Sequence, residues 1–271
     1  MKTFHCDVCG NLVFFENTHC VNCHHALGFI PALLELSALV PETEGGERVV
    51  APAASGHLFR HCGNRDTPAA CNWLVPAAET GTFCAACRLD EIIPDLSIAE
   101  NSEHWHQLEA AKRRLIYTLL KLHLPFAGTA HGKPPLRFRF LGDPPGGPAI
   151  LTGHEHGTIT VNVAEADDLI REQRRASLHE PFRTLLGHFR HEAAHYYWEV
   201  LVEGTAWLEP FRTLFGDERA DYGEALRRHH AHGPDAGWEK HWVSAYASSH
   251  PWEDWAETCA HYLHIIDTIE T

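Results

Sequence analysis

No run of 18 apolar residues occurs in the 271-residue chain; the nearest approach, ALGFIPALLELSALV, is interrupted by Pro31 and Glu35. A membrane-spanning helix is therefore not expected. No apolar leader core precedes Cys6 in the opening MKTFHCDVCG, so secretion is not expected either. Cations are scarce: 22 Lys/Arg stand against 36 Asp/Glu, a formal charge of −14. Phosphate backbones are gripped by Lys and Arg, and this balance argues against nucleic acid as the main partner. Residues 1–90 hold only five Lys/Arg against nine Asp/Glu, too few to build a basic face there. With 44% apolar and 21% charged residues, the rest is ordinary globular material.

Against those shortages stand 23 His and 9 Cys, both good ligands for transition metals. Cys6 and Cys9 form one C-x-x-C pair, and Cys20 and Cys23 form another. Each pair sets two thiolates on one tight knuckle, and two facing knuckles complete a zinc tetrahedron. Cys62, Cys71, Cys84 and Cys87 make a second set of four; only Cys84 and Cys87 have knuckle spacing, and His61 is a possible substitute ligand. Closed four-cysteine sites leave zinc no open position, so both are expected to be structural, with metal binding coupled to folding. Thiolates rather than disulfides imply a reducing compartment, and a cytoplasmic location is expected. Cys259 stands alone in an apolar helix pattern and reads as packing.

The chain divides near residue 98. Residues 1–97 are rich in Cys, Gly and Pro. LVFF (12–15) reads as a short strand, and PETEGGERVVAPAASG (41–56) as a flexible connector. From 98 to 271 the order is helix, strands, helices, which predicts an α+β catalytic domain. Asn101 or Ser102 can cap a helix whose apolar stripe is Trp105, Leu108, Leu115, Leu119 and Leu122, stopped by Pro125. LRFRFL (136–141) and GTITVNVA (157–164) alternate like half-buried strands. The second is expected at a sheet edge, where Ile159, Val161 and Val163 would help bind an extended peptide by strand addition. Pro181 is placed to begin a helix running through HFRHEAAHYYWEVLV, with further helices over about 217–230 and from Pro251.

His191-Glu192-Ala193-Ala194-His195 is an H-E-x-x-H motif. Residues four apart lie on one helix face, so both imidazoles can grip one zinc ion while Glu192 serves as general base. The expected reaction is hydrolysis of a peptide bond by a metal-activated water. A third protein ligand is needed, and Glu253 and Glu257, four apart in WEDWAETCAHYLHI, supply it. Glu253 is preferred as ligand and Glu257 as the carboxylate orienting a ligand histidine. Glu218 and Asp221 are the rivals for the third position. Tyr246 is the preferred hydroxyl for the developing oxyanion, with Tyr222, Tyr262 and His250 as alternatives. His188 can be a helper near the metal or a hydrogen-bonded core residue. Three zinc ions in all are expected, one catalytic and two structural.

The chain resembles bacterial zinc-ribbon-containing zinc-binding metallopeptidases. The resemblance rests on the paired knuckles, CNWLVP (71–76), FCAACRLDEIIPDLS (83–97), LEAAKRRLIYTLLKL (108–122), ITVNVAEADD (159–168), LLGHFRHEAAHYYW (185–198), LFGDERADY (214–222) and SAYASSHPWEDWAETCAHYLHI (244–265). More broadly, the motif with its downstream E-x-x-x-[DE] is similar to that of gluzincin peptidases, which implies a gluzincin-like zincin domain with a small mixed sheet and active-site helices. The resemblance implies Glu253 as ligand, Glu257 as orienter and, as in lethal-factor-like members, Tyr246 as the hydroxyl donor. No H-x-x-G-x-x-H extension exists, since residues 196–201 are YYWEVL, so the metzincin arrangement is excluded. A peptide or protein substrate is expected; the alternative is a non-catalytic adaptor with zinc-stabilised binding surfaces.

Overall fold

The computed structural model describes residues 2–43, 46–55, 57–144, 146–171 and 184–271. It separates into two compact units, residues 1–127 with 270–271, and residues 128–269. Residues 99–121, the helix that follows the cysteine-rich segment, fall in the first unit.

The first unit is built from small antiparallel pieces. Strands β1 (Phe4–His5) and β2 (Leu12–Val13) pair across the first cysteine knuckle, and β3 (Leu27–Ile30) and β4 (Glu35–Ala38) form a hairpin after the second. A four-stranded meander follows: β5 (Val40–Pro41), β6 (Arg48–Val50), β7 (Leu58–His61) and β8 (Leu74–Pro76). The connector expected over 41–56 is thus partly strand. Val49 is buried opposite Phe59, so side-chain burial against β7 outweighs the loop-like Gly/Pro content of the segment. A last short strand, β9 (Asp90–Ile92), precedes helix α1 (Ala99–Lys121).

Short strands cannot bury much on their own, and an aromatic nucleus supplies the core. Phe15, Phe29, Trp73 and Tyr117 meet edge-on or tilted at centroid distances of 4.7–6.1 Å. Tyr117 comes from α1; of its expected stripe, Trp105, Leu108, Leu115 and Leu119 are buried, while Leu122 is the half-buried residue that ends the helix. The helix begins earlier than proposed: its boundary residue is Ile98, three residues before Asn101 and four before Ser102, and Asn101 instead donates to the Asp95 carbonyl.

In the second unit, β10 (Arg137–Leu141), β11 (Gly153–Glu155) and β12 (Thr158–Asn162) run in the order β11-β12-β10, with β12 parallel to β10 and antiparallel to β11. Strand β12 is therefore hydrogen-bonded on both sides, and its expected place at a sheet edge is incorrect. Alternation reports which face is buried, and says nothing about neighbours along the hydrogen-bonding direction. Ile159, Val161 and Val163 are 0–3% exposed and face the core, so they are not available to substrate.

Beside the sheet lies α2 (Leu185–Leu201), whose Phe189 packs on Phe138 and Phe140 at 5.7 and 6.2 Å. Thr184 caps it by accepting the Gly187 N–H at 3.0 Å. The start at Pro181 lies outside the described residues. Helices α3 (Leu208–Phe215), α4 (Tyr222–His232) and α5 (Pro251–Glu270) complete the unit. Trp198 of α2, Phe211 and Phe215 of α3, and Trp252 and Trp255 of α5 interlock in a second aromatic cluster. No described helix is long and apolar enough to cross a membrane.

Candidate metal centre

Two thiolate clusters stand in the first unit. Cys6 Sγ lies 3.6 Å from Cys23 Sγ, and Cys9 Sγ lies 3.6 Å from Cys20 Sγ. A tetrahedron with Zn–S bonds of about 2.3 Å has edges of roughly 3.8 Å, so these spacings suit one zinc ion. Each knuckle closes with a left-handed residue. Gly10 (φ 73°) donates its N–H to the Cys6 carbonyl at 2.8 Å, and His24 (φ 61°) does the same for Cys20 at 2.9 Å. The glycine is suited to that conformation; the histidine is held there by the closed turn.

Cys62, Cys71, Cys84 and Cys87 form the second cluster, each at most 4% exposed, with Cys71 and Cys84 sulfurs 3.7 Å apart. Backbone N–H groups of Cys84 and Cys87 donate to Cys62 Sγ and Cys84 Sγ at 3.4 and 3.5 Å, favouring thiolate. His61 is not part of the cluster. It meets the Arg65 guanidinium, and burial together with that cation pushes its pKa down to about 4. Helix α1 brings the buried Lys112 and Arg113 beside Glu109, whose carboxylate is 3.6 Å from Cys87 Sγ.

The third cluster lies in the second unit and joins α2 to α5. His191 and His195 project from one face of α2 with their Nε2 atoms 3.2 Å apart. Glu253, in the first turn of α5, brings Oε2 to 3.0 Å from His191 Nε2 and Oε1 to 3.6 Å from His195 Nε2. Ligands at about 2.0–2.1 Å from a tetrahedral zinc are roughly 3.3 Å apart, so the separations suit one ion bound by all three groups. Glu253 is 1% exposed, and its Oε2 makes no hydrogen bond despite the nearby imidazole. An orphaned carboxylate oxygen facing two imidazole nitrogens is what a cation between them would resolve. Burial opposes charge on His191, but Glu253 and Glu257 outweigh it and raise its pKa well above the usual value.

Glu257, one turn after Glu253, accepts from His191 Nδ1 at 2.7 Å. That bond fixes the tautomer and leaves Nε2 free to ligate. Its other oxygen accepts the Ser244 hydroxyl at 2.7 Å, and Ser244 Oγ in turn accepts the Ala247 N–H at 3.0 Å. Trp252 lies edge-on to His195 at 5.2 Å, and Trp255 Nε1 donates to the Ala194 carbonyl at 2.8 Å, locking α5 to the metal-facing turn of α2. Glu192 sits between the histidines in sequence. Burial pushes its carboxyl up, the two imidazoles pull it down, and Glu253 pushes it up again.

The tyrosines are arranged differently from the spacing argument. The hydroxyl that reaches the cluster is that of Tyr222, at the start of α4, which donates to Glu253 Oε1 at 2.6 Å. Tyr246 lies tilted beside the His191 ring at a centroid distance of 6.0 Å. Both tyrosines thus border the site. Tyr262 is 55% exposed on α5. His250 is buried and spans Ala220 and Trp252, its Nε2 donating to the Ala220 carbonyl at 3.1 Å and its Nδ1 accepting the Trp252 N–H at 3.1 Å.

The rival carboxylates have other work. Glu218 is held by Arg212 at 2.5 Å, and Asp221 caps α4 by accepting the Glu224 N–H at 2.9 Å. His188 faces Glu165 at 3.4 Å. Cys259 is half-buried, its thiol pushed up to about 11 by burial. Sequence reasoning missed Ser244 and Trp252. Ser244 has no distinguishing spacing, whereas Trp252, adjoining a candidate ligand, could have been suspected.

Two four-cysteine zinc-ribbon clusters in one unit define a zinc protein, and the other unit adds a His-His-Glu group that could hold a further metal ion. The chain belongs to the family described as "Putative zinc-binding metallo-peptidase", whose model matches residues 101–271. A zinc-ribbon domain matches residues 3–98. Similar chains include uncharacterized proteins of Mycobacterium bovis (strain AF2122/97) and Mycobacterium tuberculosis (strain H37Rv). Each is 42% identical over 276 residues, covering 100% of this chain and 75% of the relative. No solved structure matches the chain.

Proposed function

We propose that the protein is a zinc peptidase of gluzincin type, with His191, His195 and Glu253 holding the catalytic ion and Glu192 as general base. The observation that carries this reading is the convergence of the three ligand groups within 4.8 Å, with Glu257 fixing His191 from behind. Zinc bound there supplies Lewis acidity, lowering the pKa of water and polarising the scissile carbonyl. Glu192 takes the proton of the attacking water and passes it to the leaving amine. Glu257 keeps the His191 ring oriented, relayed by Ser244. The Tyr222 hydroxyl, with Tyr246 behind it, donates to the developing oxyanion once substrate displaces it from Glu253.

Since β12 is internal, the unpaired side of β11 is the better place for an extended substrate. Gly153–Glu155 pairs only with β12 among the described residues of this unit and packs against α2. A reducing cytoplasm suits eight thiolate ligands. A non-catalytic adaptor would have no use for a carboxylate at position 192. The test is cleavage of a broad peptide library by the zinc-loaded chain. Glu192→Gln should retain zinc and lose at least about a hundredfold in rate. No cleavage above that variant would leave the adaptor reading.

A further inference from the structure

A cavity of about 440 Å³, within the range that holds small ligands or substrate side chains, is lined in part by His250, whose ring lies edge-on at 5.2 Å to Tyr222, the tyrosine that donates to Glu253. Its walls are the segments that aim two of the centre's groups. Ala220 and Asp221 precede Tyr222, and His250 and Pro251 precede Glu253. Phe215 and Trp242 give it aromatic sides.

Most polar groups of the lining are already engaged. Ser248 and Ser249 donate their hydroxyls to the carbonyls of Ala245 and Tyr246, each at 2.6 Å. Both His250 nitrogens are used, as described above. Asp221 caps α4, and Glu224 pairs with Arg227 at 2.7 Å. Arg228 is different. Arg171, Arg190, Arg212, Arg219 and Arg227 each pair with a carboxylate, and Arg137 donates to the Leu136 carbonyl. Arg228 has no side-chain partner among the described residues, although Asp221 and Glu224 line the same cavity. In a chain of charge −14, an exposed guanidinium at a concave surface with no side-chain partner among the described residues is open to an anion.

We infer that this cavity is a substrate subsite in which Arg228 binds a peptide carboxylate, with Phe215 and Trp242 flanking the residue that bears it. The inference rests on the peptidase reading for what the subsite serves. Its chemistry is a carboxylate of either source, a C-terminal α-carboxylate or an Asp or Glu side chain. Guanidinium matches either in a two-pronged contact, worth about tenfold or more in affinity.

The test measures binding without turnover, by calorimetry on the zinc-loaded full chain carrying Glu192→Gln. Three probes are compared: N-acetyl-trialanyl-phenylalanine, its C-terminal amide, and N-acetyl-trialanyl-glutamic acid α-amide. At least one acidic probe should bind about tenfold or more tighter than the neutral amide. Preference for the free acid alone assigns the site to chain termini; preference for the glutamate amide alone assigns it to acidic side chains. Adding Arg228→Gln should bring the ratio to about one, and Arg228→Lys should restore part of it. Equal binding of all three probes, or a preference that survives Arg228→Gln, overturns the inference. Because no cleavage is required, a chain that never hydrolyses peptides yet keeps the preference would sink the peptidase reading and leave the subsite standing.

Discussion

Replacing Glu257 isolates what would hold an ion at the proposed His-His-Glu site. Its carboxylate accepts from His191 Nδ1 at 2.7 Å and is itself steadied by Ser244 at 2.7 Å, so the imidazole presents Nε2 to the proposed metal position in one tautomer and one orientation. Glu257→Ala removes both restraints and leaves a half-buried N–H with no acceptor in place. Loss of such a partner costs about 10–100-fold in metal affinity, or about 1.4–2.7 kcal/mol. Glu257→Gln keeps an acceptor oxygen but loses the charge, and charge-assisted hydrogen bonds are about twice as strong as neutral ones. Its loss should therefore be the smaller. The assay is zinc competition with a fluorescent chelator, reading the weakest of the bound ions. The two thiolate sites serve as internal controls, because Glu257 touches neither. Unchanged affinity in both variants, or a loss spread across all sites, would refute a specific role for this carboxylate.

Three other outcomes are expected. A chelator should strip the His-His-Glu ion before the eight-thiolate pair, since the buried second cluster is closed on every side; elemental analysis against time reads the order. Tyr222→Phe should lower kcat by about 10–100-fold with zinc retained, and more than Tyr246→Phe does, because the Tyr222 hydroxyl is the one at the cluster; equal effects would contradict this. Phe189→Ala should cost about 3–5 kcal/mol in denaturant unfolding, because it empties the contact between α2 and the Phe138–Phe140 face; a loss below about 1 kcal/mol would mean that the site helix is anchored elsewhere.

What was legible in the sequence is local. The C-x-x-C knuckles fix two sulfurs through a single turn, and His191 and His195 share a face because α-helical spacing demands it. The pairing of Glu253 with Glu257 across one turn is local in the same way. The position of β12 is not. Ile159 and Val161 announce a buried face, but the neighbours that hydrogen-bond to it on either side are set by chain tracing far along the sequence. The tyrosine assignment has the same character. Counting seven residues back from Glu253 finds Tyr246, while Tyr222 arrives from a different helix, start to start with α5, which no spacing within one segment encodes. The strands within 41–56 were hidden for another reason. Gly and Pro mark turns between strands as readily as they mark loops, and Val49 needed Phe59 to show which applied.

The measurement that bears most directly on the central claim is anomalous diffraction at the zinc edge from crystals of the full chain grown without added metal. Three peaks are expected, two inside the cysteine tetrads and one among His191 Nε2, His195 Nε2 and a Glu253 oxygen, at about 2.0–2.2 Å from each. Density at the first two positions with none at the third, or a third ion ligated by Glu218 or Asp221 in place of Glu253, would contradict it.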